Sequence, residues 1–240
     1  TIRKLIQKLI KIMSIYPLPF SSMKKKVISL LLTSILLFFS SSGFAHSGNV
    51  MIGFSDGLLH PVIGLDHLIA MISVGVISAQ IGGFVIWLVP GLFVLGMLIG
   101  STLAMLIYLL RNINDPSPFI YFVLDQFADY IYFIIEFGIA FSVLFLGVVI
   151  FLNKKLPILI TTIIILIFGI THGAAHGISI PYVIEPYLFI LGFCIGTVLL
   201  HIFGVLIGYF SIKSSIVNKM IRYGGILISA FGVNLVFVLI

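Results

Sequence analysis

The chain has 240 residues, of which 61% are apolar and only 8% charged, and its mean hydropathy is +1.31. That excludes a soluble globular domain, since no stretch is polar enough to be one, and it places the chain among polytopic membrane proteins. The net charge of +6 does not signal nucleic acid: seven of the 13 Lys/Arg precede residue 46, and from His46 onward six face all seven Asp/Glu. Cys194 is the sole cysteine, so neither an intramolecular disulfide nor a thiolate metal cluster is available.

In chain order, residues 1–22 read as an upstream extension. Residues 23–45 read as a signal peptide with a charged start (Lys24, Lys25, Lys26), an apolar core from Val27 to Phe39, and small residues Gly43 and Ala45 before the cut. Cleavage there makes His46 the first residue, offering an imidazole and a free amine as an accessory metal ligand. Residues 46–240 then form an all-α membrane helix bundle. Its apolar segments fall at about 61–81, 84–110, 130–152, 156–173, 186–210 and 219–240. Most approach or exceed the roughly 20 residues needed to cross the hydrocarbon core. The fourth is the shortest and runs into Thr171-His-Gly-Ala-Ala-His-Gly177, which predicts a helix that frays or breaks near the membrane surface.

A cleaved leader puts the mature N-terminus outside. Lys154, Lys155, Lys213, Lys219 and Arg222 then face the cytoplasm and only Arg111 faces out, as the positive-inside rule requires. The outer loop 111–129 carries Asp115, Asp125 and Asp129. Gly96/Gly100, Gly192/Gly196 and Gly204/Gly208 have the four-residue spacing of close helix contacts.

The costly side chains gather in the outer half of this topology. His60, Asp66 and His67 open the first span; the two imidazoles are seven residues apart, which on one helix puts both on one face. Asp66 is placed to ligate or to orient a neighbouring ring. Met71 lies on the same stripe, as a thioether or as packing. His172 and His176, four apart, share a helix face near the end of the fourth span, and Glu136 lies inside the third. His201 falls deeper in the fifth span, as a later stop on a path or as an interhelical hydrogen-bonding group. Ionisable groups at membrane depth are expensive, and imidazoles with carboxylates suit a divalent transition metal. Together they point to a metal site open to the outside.

These residues resemble the HupE/UreJ family over most of the mature chain. The histidine, five residues, Asp-His motif is present as His60, Asp66 and His67 within HPVIGLDHLIAMISVG, and the second histidine motif as His172, Gly173, Ala175, His176 and Gly177. Phe93, Glu136 and the Gly192, Thr197, His201, Gly204 pattern also match. Thr171 stands where the family has Phe, and Ser179 where it has Glu; Glu185 follows six residues later as a substitute acid. The resemblance implies uptake of nickel, or of cobalt, across the bacterial cytoplasmic membrane to supply hydrogenase or urease.

The expected protein is thus a secondary carrier or facilitated-diffusion permease, not an enzyme. It has no permanently bound cofactor, Ni²⁺ or Co²⁺ is its substrate, the bilayer is its solvent, and no nucleic acid is a partner. No phosphate-binding Gly-x-x-x-x-Gly-Lys-Ser/Thr sequence is present, so nothing points to ATP hydrolysis by this chain. The alternative is an intramembrane zinc hydrolase, with three histidines on the metal, Asp66 handling protons and Ser179 in attendance. The sequence sets no oligomeric state.

Overall fold

In hydrocarbon there is no water to bond a free N–H or C=O, so long apolar runs satisfy their backbone as helices. The structure, a computed structural model, describes residues 52–111, 118–179 and 183–240, with side chains over 52–110, 130–178 and 183–240. The segments 1–22 and 23–45 and His46 lie outside the described residues. Within them the chain is all-helical: α1 Phe54–Ile63, α2 Leu65–Ile81, α3 Val85–Arg111, α4 Pro118–Leu152, α5 Ile158–Ser179, α6 Pro186–Lys213 and α7 Ser215–Leu239. Helices α3 to α7 each contain a stretch long and apolar enough to cross a membrane, and α1 with α2, taken as one bent span, makes a sixth. The protein is a multi-pass membrane helix bundle.

Three expectations are corrected. The first span is no single helix beginning near residue 61. It starts at Phe54 and bends by 82° at Gly64, which takes an extended conformation (φ −78°, ψ 109°) three residues after Pro61. Proline removes a donor and Gly64 leaves the helical region, so two short helices replace one. The Asp-rich stretch is only partly loop, because α4 begins at Pro118. The fourth span neither frays nor breaks at its histidines, since α5 continues unbroken to Ser179.

The described turns α2–α3, α4–α5 and α6–α7 are short. Gly82 and Gly83 take positive φ (88° and 60°) to turn α2 into α3, and Asn153 takes φ 51° at the end of α4. Asparagine is among the few residues with a side chain that tolerate this region. Ser214 alone separates α6 from α7, and its hydroxyl accepts a 3.4 Å bond from the Val217 N–H as an N-cap.

Lipid offers no hydrophobic drive between helices, so association relies on close packing. Glycines supply it along three seams. A Cβ on Gly96 or Gly100 of α3 would strike the Leu166 or Ile170 carbonyl of α5, and one on Gly169 or Gly173 would strike the Phe93 or Met97 carbonyl in return. Gly192, Gly196 and Gly204 of α6 meet the carbonyls of Phe54, Leu58 and Ile72 in the same way. Gly147 of α4 and Gly225 of α7 face each other. Ser101 Oγ also donates to the Gly173 carbonyl at 2.8 Å across the first seam. Between the seams lies an apolar core including Met71, Val74, Phe93, Val143, Leu146 and Ile165, while outward positions such as Trp87, Leu103, Ile163 and Leu199 are exposed.

Candidate metal centre

The bend at Gly64 decides where the first motif points. His60 ends up on α1, and Asp66 and His67 lie in the first turn of α2. The shared face expected from their spacing does not exist. Both rings nevertheless reach one partner: the His60 and His67 ring centroids lie 4.8 Å and 4.6 Å from that of His176. His67 is also 5.1 Å from His172, which sits one turn before His176 on α5. Four imidazoles from three helices thus meet in one place.

Their hydrogen bonds fix which nitrogen is offered. His67 Nδ1 lies 2.8 Å from Asp66 Oδ1, and the His67 backbone N–H donates to the same oxygen at 2.9 Å. His172 Nδ1 lies 2.9 Å from the Phe168 carbonyl oxygen. A carboxylate and a carbonyl only accept, so each ring donates from Nδ1. In the neutral tautomer this leaves the Nε2 lone pair of each ring uncommitted. The Nε2 atoms of His67, His172 and His176 are all buried with no hydrogen-bond partner. Orphaned buried polar atoms are costly, and the Nε2 lone pairs of His67 and His172, with the unpartnered Nε2 of His176 beside them, leave room for a cation or a donor. Holding Nδ1–H on an acceptor while Nε2 faces an ion is the usual arrangement of metal-binding histidines.

Charge is at hand. Asp66 is half-buried against His67. Glu136 on α4 acts electrostatically on His67 and pairs with the Tyr132 hydroxyl one turn before it. Among the described residues, no group of three or more His, Cys, Asp or Glu side chains is already spaced to hold a metal ion.

The remaining expected residues separate. Met71 is fully buried in the apolar core. Glu185 precedes α6, where its N–H donates to the Ile52 carbonyl at 2.9 Å and its carboxylate lies against Gly53. Ser179 is the last residue of α5, and its side chain lies outside the described residues. Phe93 of α3 is fully buried, and its ring lies 5.3 Å from both His172 and His201. His201 itself is 2% exposed, with neither ring nitrogen partnered.

Sequence reading missed the aromatic wall. Phe193 stacks at a tilt on His176 at 4.3 Å, and Phe189 and Phe193 flank His60 at 5.5 and 6.1 Å. The signal was present, since Phe189, Phe193, Thr197 and His201 recur every four residues along one stripe of α6, and all four are buried.

Residues 34–113 and 126–235 match the family described as HupE / UreJ protein. The chain belongs to the HupE/UreJ family. A relative, Protein HupE of Rhizobium leguminosarum bv. viciae, is 32% identical over 165 residues, 69% of this chain and 75% of that protein. No solved structure matches. Within this HupE/UreJ bundle, both histidine motifs contribute to the same four-ring cluster.

Proposed function

We propose that this protein carries a divalent transition-metal ion, nickel first and cobalt second, across the bacterial cytoplasmic membrane, as a secondary carrier or facilitated-diffusion permease. The observation that carries this reading is the set of three buried, unpartnered Nε2 atoms on His67, His172 and His176. Imidazole suits nickel, whereas carboxylates alone favour magnesium. His60 closes the ring cluster on the α1 side, and Asp66 and Glu136 offset the charge of the arriving ion. Family membership and the clustering of basic residues at the opposite end of the bundle support entry from the imidazole side.

The ion exchanges water for imidazole at the cluster, and its next stop is His201. Phe93 lies between the two, touching His172 on one side and His201 on the other. A ring there excludes water from the deeper half, and a cation crossing its face is met by the negative π surface. Nothing observed in the molecule favours the hydrolase alternative. The test is metal uptake by proteoliposomes with Ni²⁺, Co²⁺ and Zn²⁺ in competition, wild type beside His67→Ala. Saturable Ni²⁺ entry is expected in wild type and should be lost in the variant; equal uptake by the two at equal incorporation would sink the proposal.

A further inference from the structure

The end of the bundle remote from the imidazoles carries a second concave site of opposite character. A cavity of ≈ 510 Å³ opens there between the end of α2, the α4–α5 turn and the α6–α7 junction. Lys154, Lys155, Lys213, Lys219 and Arg222 all line it, together with Gln80, and among the described residues no carboxylate does. The positive-inside rule accounts for basic residues on this side of the membrane. It does not account for their convergence on one hollow, because each like charge raises the energy of the others.

Three of the five are steered by local contacts. The Arg222 Nε–H donates to the Phe151 carbonyl at 2.9 Å, Lys155 Nζ donates to the Ile81 carbonyl at 3.3 Å, and Lys213 Nζ lies 4.5 Å from the Tyr209 ring centre. These contacts position the cations without neutralising any of them. The Gln80 side chain also lines the hollow, and its amide nitrogen is buried with no hydrogen-bond partner. Five cations around one hollow suit an anion with several acceptor oxygens.

We propose that this cavity binds a phosphate-bearing anion, supplied by the headgroup of an anionic phospholipid in the adjoining leaflet. The site lies where helices end at the membrane surface, and basic pockets between helix ends on the cytoplasmic face suit such headgroups. Lys and Arg recognise phosphate by charge and by multiple N–H donors. The same chemistry would accept free phosphate, so the experiment separates the two sources. The proposal does not rest on the metal reading, since it involves none of the imidazole residues.

The test uses the full chain purified in detergent, with lipid retention read by native mass spectrometry. The probes are phosphatidylglycerol, phosphatidylcholine and inorganic phosphate. Wild type is expected to retain phosphatidylglycerol over phosphatidylcholine. The Lys154→Gln/Lys219→Gln double variant should weaken that retention more than about tenfold, and Lys154→Arg/Lys219→Arg should restore it. Raising the salt should weaken retention by wild type, which tests the charge dependence even if the double variant fails to fold. Displacement of the lipid by millimolar phosphate would identify the free anion as the ligand. Equal retention of the two lipids with no phosphate binding, or no loss in a folded double variant, overturns the proposal.

Discussion

The His67/His172/His176 cluster and His201 are both buried histidine sites, joined through the Phe93 ring, yet they are built differently. In the cluster, two rings are pinned through Nδ1, one by the Asp66 carboxylate and one by the Phe168 carbonyl. His201 has no such anchor on either nitrogen and faces the Phe93 ring alone. If the cluster binds a metal as proposed, pinning pre-sets the tautomer and lowers the ordering cost of ligation, which suits capture and selection. An unanchored single imidazole binds weakly and releases readily, as passage requires. On the proposed carrier reading, capture belongs to the cluster and passage to His201.

The comparison breaks most directly at the pair on α5. His172→Ala/His176→Ala should abolish saturable Ni²⁺ binding in the purified protein, measured by calorimetry. Binding by wild type should weaken as the pH falls far enough to protonate these rings, because protonated imidazole cannot ligate. Unchanged affinity in the double variant would dismiss the cluster as the capture site. A smaller effect is expected from Asp66→Asn, which keeps the shape but removes the anionic acceptor at Nδ1. Loss of such an outer partner costs about 10–100-fold in metal affinity. A value equal to wild type would mean that the Asp66–His67 bond is only structural. The smallest change sharpens the contrast. His201→Gln should leave Ni²⁺ affinity within about twofold while slowing proteoliposome uptake several-fold; a parallel fall in affinity would place His201 in the capture site itself.

Much of this was legible in the sequence, for reasons that differ between residues. The later spans follow from unbroken apolar length, and the glycine contacts from four-residue spacing, because both depend on one helix at a time. The positions of the costly residues were readable because a bilayer leaves few reasons to bury an imidazole. The bend at Gly64 was not readable. Proline is tolerated inside many membrane helices, and only tertiary contacts decide whether a span bends there. For the same reason the spacing of His60 and His67 implied a shared face, and their convergence on His176 arises by another route. The early start of α4 was hidden by Asp125 and Asp129, which read as loop. The Phe189–His201 stripe was overlooked because aromatic repeats in an apolar helix ordinarily signify packing.

The glycine seams have one more consequence. They tie α6 to α1 and α2, and α3 to α5, backbone against backbone. His60, His67 and His201 belong to the first group, and Phe93, His172 and His176 to the second. The His60–His176, His67–His172, His67–His176 and Phe93–His201 contacts all cross the division between the groups. A slide of about an ångström between two stiff bodies would therefore re-space every one of these ring pairs together, while leaving the geometry within each body untouched. The imidazole cluster thus lies where these two helix groups meet.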